Sequence, residues 1–270
     1  MDPLVSVIVP TYNTARTLGK CIESVVKQSY SNWEVIIVDS YSHDRTEEIA
    51  LEWCRVLGED KCRYYRTRRR YGAAARNVGV KNCRGDIVYT HDSDQYLSLN
   101  VLAECVRAIQ SGYDCVEIPV KFMVPRGYFQ RSVFYSIWPT QPDAAKYPGC
   151  FKKSDWLKLG GQDETAFHGE DLEFSLRVRR AGLKIARVEA TSLHDQNWSW
   201  RQMIYKAQWL QRGKKRLRSI KSEYSVEDRR MTVFLTSMSA FAAYPRYLPG
   251  VALALLTRRI ARFLVGGIGW

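Results

Sequence analysis

Residues 4–10 read "LVSVIVP", and the next comparable run, residues 33–39, reads "WEVIIVD". Both are nearly continuous apolar, β-branched runs, not alternations of apolar and polar residues. That is the pattern of strands covered on both faces. Working outward, residues 14–28 set Ala15, Leu18, Ile22, Val25 and Val26 at helical spacing, and residues 44–57 also read as a helix. "CRYYRT" (62–67) is a short third strand, and a helix is predicted from about Gly72 to Lys81. "GDIVYTHD" (85–92) is a fourth strand, followed by a helix near 98–110 and a strand at "YDCVEIPV" (113–120). Strands alternating with helices imply βαβ units and an α/β, doubly wound, mainly parallel sheet.

The chain of 270 residues is long enough for one large domain and an appendage, with 46% hydrophobic residues to fill a core. Its seven cysteines are odd in number and never spaced C-x-x-C, which favours free thiols over a zinc site or a disulfide framework. "MDPLVSVIVP" reads as the first strand of the fold, not as a signal peptide. Charge is unevenly placed. Residues 196–270 hold 14 of the 41 Lys and Arg but only three of the 28 Asp and Glu. The expected organisation is a nearly neutral domain over 1–195 and a strongly basic tail over 196–270.

Ligands of doubly wound sheets bind at the carboxyl ends of the strands. Three polar clusters fall there: "PTYN" after the first strand, "DSYSHD" after the second and "HDSD" after the fourth. No G-x-G-x-x-G follows the first strand and no G-x-x-x-x-G-K occurs, so dinucleotide and P-loop readings lack support. Asp92 and Asp94 offer hard oxygen ligands suited to Mg²⁺ or Mn²⁺, and a cation between them could in turn bind a diphosphate. Taken alone, the same D-x-D is what an acidic turn before the helix at 98 would show.

The ordered set "VSVIVPTYN", "SVVKQSYSNWEVIIVDSYSHDRT", "RYGAAARNVGVKNCRGDIVYTHDSD", "LGGQDE" and "HGEDLEFSLRVRRAG" resembles the family-two glycosyltransferases of GT-A fold, over about residues 4–194. The resemblance implies a nucleotide-diphosphate sugar donor, UDP- or GDP-linked, and Mn²⁺ or Mg²⁺ as cofactor. Pro10, Tyr12 and Asn13 match the segment bordering the nucleotide, although Asn13 or Thr14 could simply cap the next helix. Asp39 matches the carboxylate that reads base or ribose. Ser40 stands where the family often has a second aspartate, and Asp44 reads better as a helix cap. Arg76 matches a position near phosphate or the acidic pair, and Asn77 one that fixes the neighbouring loop. Asp92 would face the donor and the metal, and Asp94 would bind the metal more directly. Gly160 and Gly161 match a loop near the donor sugar, with Asp163 as acceptor for a sugar hydroxyl and Gln162 in place of the usual aromatic. Glu170 and Asp171 open a helix, where carboxylates are favoured by the macrodipole in any case. By resemblance Asp171 is the base of an inverting transfer and Glu170 orients the acceptor. His194 falls where relatives place a histidine on metal or diphosphate, with Asp195 a lesser candidate.

The basic tail carries a C-terminal amphipathic helical extension in this reading. Trp200, Met203, Ile204, Ala207 and Leu210 would share one helical face, and Arg258, Arg259 and Arg262 lie opposite Leu256, Ile260 and Phe263. No apolar run reaches the ~20 residues of a spanning helix, so helices lying on an anionic membrane surface are expected. That would put the protein at the cytoplasmic face of a membrane, peripheral or monotopic, with a lipid-linked acceptor. Arg126 and Arg131, in the aromatic stretch 121–148, would face that acceptor. No nucleic-acid-binding module accompanies the charge, so nucleic acid is not an expected partner. Two other readings compete: a non-catalytic, membrane-bound nucleotide-sugar-binding scaffold, and a sugar-nucleotide pyrophosphorylase, which would need a glycine-rich basic loop where "PTYNTAR" stands.

Overall fold

The computed structural model describes residues 2–68, 72–124, 127–128, 131–132, 148–165 and 169–195. Those of 2–121, 148–165 and 170–195 form one compact unit; the few described between 122 and 132, with Gly169, belong to a second. The expected boundary at 195/196, the membrane-facing tail 196–270 and Arg126 lie outside the described residues. Among the described residues, no helix is long and apolar enough to cross a membrane.

The main sheet has seven strands in the order β3-β2-β1-β4-β8-β6-β9. β1 (Val5–Thr11) lies between β2 (Trp33–Asp39) and β4 (Ile87–Thr90), parallel to both, with Val5 opposite Trp33 and Ile87. β3 (Cys62–Arg66) continues the parallel half beyond β2. The other half is mixed. β8 (Pro148–Lys152) runs antiparallel to both β4 and β6 (Cys115–Glu117), and β6 is parallel to β9 (Ile185–Arg187). The single strand expected over 113–120 is two, β6 and β7 (Val120–Met123); the ladder with β8 already slips between Val116 and Glu117. β7 joins a second, three-stranded sheet, β5-β10-β7, with β5 at Gln95–Leu97 and β10 at Ser192–Asp195.

Helices cover both faces, as the unbroken apolar runs of β1 and β2 demanded. Val5, Val7 and Val9 share one core with Leu18, Cys21, Ile22 and Val25 of α1 (Leu18–Val26), and with α4 (Val101–Gln110). α2 (Thr46–Leu57) lies on this side through Ala50. Ile8, Ile36 and Val38 point the other way, into α3 (Gly72–Asn82), α5 (Lys153–Lys158) and α6 (Glu170–Arg180), where Phe151, Trp156 and Phe174 pack ring against ring. Gly79, more than the alanine run 73–75, sets how closely α3 meets the sheet. A Cβ there would sit 2.2 Å from Cγ2 of Ile8.

A buried charge sits near the start of β2. Glu34 is 1% exposed, yet it accepts hydrogen bonds from Ser6 Oγ (2.6 Å), Arg84 N (2.6 Å), Arg84 Nε (3.0 Å) and Arg63 Nη2 (2.7 Å). Burial pushes its carboxyl up, but these donors outweigh that and hold it below the usual value.

Candidate active site

The carboxyl ends of β1, β2 and β4 meet in one crevice, and Arg76 is its electrostatic centre. The first turns of α3 aim the guanidinium across the end of β4, where only 7% of the side chain reaches solvent. Nη2 donates to Asp92 Oδ1 at 2.8 Å. Nη1 faces Gln162 Oε1 (3.1 Å), Glu170 Oε1 (3.3 Å) and Asp171 Oδ1 (3.5 Å). Three carboxylates from a loop and a helix far apart in the chain thus share one buried cation. Arg76, expected near phosphate or the acidic pair, is an ion-pair partner of Asp92. Burial raises the Asp92 carboxyl, and the charge and hydrogen bond of Arg76 overcome that and hold it low.

Asp171 behaves differently. Withdrawal from water pushes its carboxyl up, Arg76 pulls it down, and the charges of Glu170 and Asp92 push it up again, to about 7. Its side chain still keeps 46% of its surface accessible, so an incoming hydroxyl can reach it. Gln162, a residue whose role the sequence did not reveal, is 2% exposed and also turns Nε2 toward Asp171 Oδ1, at 3.4 Å.

The glycine loop is clipped from two sides. Asn77 accepts from Gln162 N (2.9 Å) and donates to Gln162 O (2.7 Å) and Glu164 Oε1 (3.1 Å). Arg177, on α6, donates to Gly161 O at 2.7 Å and to the Leu159 carbonyl. Gly161 sits at φ +70°, and a Cβ there would meet Asn77 Oδ1 at 2.5 Å, so the loop closes only with glycine. Asp163 caps its own turn, accepting from Thr165 N (2.8 Å) and Oγ1 (2.6 Å).

Asp94 and His194 come together through sheet register. β10 pairs with β5 so that His194 lies opposite Gln95, which brings its Nε2 to 3.1 Å from Asp94 Oδ2. Asp195 accepts two hydrogen bonds from Arg16 (2.7 and 3.3 Å) and one from Tyr96 (3.0 Å), so it anchors the end of β10 to the β1–α1 loop. Among the described residues no three His, Cys, Asp or Glu side chains cluster closely enough to hold a metal ion. The expected trio of Asp92, Asp94 and His194 is therefore split: Asp92 turns to Arg76, and Asp94 with His194 forms a carboxylate–imidazole pair. That pair is a donor set a divalent ion accepts, provided substrate oxygens and water complete its shell. His91, fully buried and stacked on Tyr89, is held neutral by burial, its ring pushed down to about 4.

On the other side of the crevice Asp39 is fully buried. Its oxygens accept from Thr11 Oγ1 (3.2 Å), Ser42 Oγ (2.5 Å), Ser42 N (3.1 Å) and Tyr64 OH (3.2 Å). Asn13 zips the two loops together: its N–H donates to Ser42 Oγ and its Oδ1 accepts from His43 N, both at 2.8 Å. Tyr12, following half-buried Pro10, meets His43 edge-on with 6.5 Å between ring centres. Asp44 accepts from Thr46 N (3.0 Å) at the start of α2 and from Ala15 N (3.1 Å), the cap-like part expected of it.

An open α/β sheet with polar clusters gathered at its strand ends places the chain among the doubly wound proteins that bind ligands there. The chain belongs to glycosyl transferase family 2, whose description matches residues 6–165. Among curated proteins it is 36% identical over 200 residues to glycosyltransferase AglE of Haloferax volcanii, covering 68% of this chain and 64% of that one. It is 33% identical over 111 residues to glycosyltransferase GlyG of Streptococcus pneumoniae, covering 41% and 36%. The matches thus span roughly one to two thirds of these relatives' lengths. The fold is GT-A. Solved structures of similar fold include S. aureus TarS 1-349 in complex with UDP-GlcNAc, at TM-score 0.59 and 19% identity over 96% of this chain and 88% of that one. Another is the mannosyltransferase PcManGT of Pyrobaculum calidifontis in complex with GDP-Man and Mn²⁺, at 0.59 and 21% over 98% and 84%. Glu170, Asp171 and His194 lie beyond the residues matched by the family.

Proposed function

We propose that this chain is an inverting, divalent-cation-dependent glycosyltransferase that moves a sugar from a UDP- or GDP-linked donor to a hydroxyl or phosphate acceptor. The observation that carries the reading is the pairing of a low-lying Asp92 with a high-lying Asp171 around one buried arginine. Two carboxyls pushed apart in this way take different roles. Asp171, ionised only above about 7, accepts the proton of the acceptor hydroxyl. The acceptor oxygen then bonds to the anomeric carbon as the bond from that carbon to the diphosphate breaks on the opposite face. Glu170 orients the acceptor, and Gln162 with Arg76 holds Asp171 in place. Asp94 and His194, beside Asp92, would hold Mn²⁺ or Mg²⁺, which neutralises charge on the departing diphosphate. The mannosyltransferase of similar fold that holds GDP-Man and Mn²⁺ supports a cation and a nucleotide sugar in such a crevice.

The acceptor in this proposal is lipid-linked, and the basic tail rests on the anionic cytoplasmic face of a membrane. The clustering of 14 Lys and Arg among tryptophans and aliphatics in residues 196–270 supports it. The test is release of nucleoside diphosphate from a panel of UDP- and GDP-sugars, with Mn²⁺, Mg²⁺ or EDTA, and with or without a membrane lipid extract. Cation-dependent release that lipid stimulates and Asp171→Asn abolishes is expected. Tight nucleotide binding without release from any donor would replace the enzyme by a scaffold.

A further inference from the structure

Among the described residues, two that are not glycine have a left-handed backbone: Asn13 at φ +53° and Tyr41 at φ +59°. They sit in the two facing loops beyond β1 and β2. Asparagine adopts this conformation readily, whereas a bulky aromatic does so only when its surroundings force it. Here they do. Ser40 N donates to Thr11 O (2.9 Å), and Ser42 is fixed to Asp39 and to Asn13, so the residues on either side of Tyr41 are pinned. The strain brings no core packing in return, since 38% of Tyr41 is exposed. Its ring is instead backed by the Arg66 guanidinium, 4.6 Å from the ring centre, which Glu47 in turn holds at 3.1 Å. Strained residues that contribute nothing to a core concentrate at binding sites.

Asp39, the expected base or ribose carboxylate, is fully buried, and its oxygens accept from four donors of the fold. We propose that Tyr41, stiffened by Arg66, is the surface on which the nucleobase of the donor stacks. The inference rests on the nucleotide-sugar reading given above. A flat ring held in place before the ligand arrives loses little freedom on binding, and every base offers a π-face to it.

Calorimetry on the full chain with Mn²⁺ tests this, using UDP, GDP and inorganic pyrophosphate, which lacks a base. Glycine accepts φ +59° without strain, so Tyr41→Gly should leave the melting midpoint unchanged or raised. It should weaken the preferred nucleoside diphosphate roughly tenfold and leave pyrophosphate binding unchanged, while Tyr41→Phe retains affinity. Equal affinity of Tyr41→Gly and the wild type for the nucleotides would overturn the inference. So would parallel losses for nucleotide and pyrophosphate with a lowered midpoint, which mark a purely structural tyrosine. A base-dependent loss confined to Tyr12→Ala would assign the stacking to Tyr12. If the wild type binds neither UDP nor GDP, the donor reading itself falls.

Discussion

Replacing Arg76 by methionine keeps much of its volume in α3 and removes the one cation shared by Asp92, Glu170 and Asp171. Losing one member of a fully buried ion pair costs about 3–5 kcal/mol, but this cluster is not fully buried. Asp92 and Asp171 keep 39% and 46% of their side chains accessible, so water screens them and each pair counts for at most about 1 kcal/mol. Glu170, 16% exposed, is the partner that loses most. A net loss of about 2–3 kcal/mol is expected. Its pH dependence is the sharper signature. In the wild type Asp92 is held low, so its contribution is present at neutral pH and disappears as pH falls through its folded value. Asp171 is raised to about 7, so it opposes folding increasingly from its unfolded value near ~4 up to that point, and fully above it. Without Arg76, Asp92 and Asp171 bind protons more tightly in the folded state. Urea unfolding at pH 8 and pH 5.5 should therefore show the large deficit at pH 8 and a markedly smaller one at pH 5.5. Arg76→Lys, a point charge without the fork, should recover part of it. An equal deficit at both pH values would show that shape, not charge, is what Arg76 supplies.

Asp171→Asn should lower turnover by roughly 10²–10⁴-fold with little effect on nucleotide affinity. Wild-type turnover should rise with pH through about 7, and steady-state pH profiles check both. Gly79→Ala, which would gain stability on an open helix, should instead cost about 1–3 kcal/mol, because its new methyl meets Cγ2 of Ile8; on an Ile8→Ala background, which lacks that methyl, the same change should cost less in urea melts. Glu34→Gln should destabilise by about 2–4 kcal/mol at pH 7, leaving Arg63 and Arg84 short of a counter-charge. Since the Glu34 carboxyl is held low, that deficit should shrink as pH falls below its unfolded range, as acid titration of the melts would show.

The parallel half of the sheet was legible because strands buried on both faces must be apolar throughout, and β1, β2 and β4 carry that mark over four or more residues. β8 was not. "PGCFK" is five residues with a proline and a glycine, and its place between β4 and β6 depends on pairing with strands 33 and 61 residues away. Motif spacing brought Asp92, Asp94, Asp171 and His194 into consideration, and the register of β5 against β10 explains why His194 reaches Asp94. What spacing could not convey was which charge would meet which. Arg76 and a metal ion both suit an aspartate at a strand end, and only the fold shows that α3 brings Arg76 within 2.8 Å of Asp92. Glu34 was hidden for the same reason: its three donor residues come from two other strands and from the loop before β4. Tyr41 looked like an ordinary loop residue, because nothing in "DSYSHD" announces a positive φ.

The charge count of the crevice argues for a cation on different grounds from the D-x-D spacing. Among the described residues, four carboxyl side chains, Asp92, Asp94, Glu170 and Asp171, stand here against the buried guanidinium of Arg76. A nucleoside diphosphate is itself an anion, so without a cation it would enter a site of its own sign. Repulsion between like charges weakens with ionic strength, over a screening length of about 10 Å at 0.1 M salt. In EDTA, raising salt from low to moderate concentration should therefore strengthen UDP or GDP binding. A Mn²⁺ held by Asp94 and His194 would offset most of that negative charge and attract the diphosphate directly, so the gain in binding with salt should shrink or vanish. His194→Ala should move the Mn²⁺ titration toward the EDTA behaviour. Binding in EDTA that falls with salt would mean that the diphosphate is held by basic residues, Arg68–Arg70 or the tail, and that the acidic crevice does not receive it.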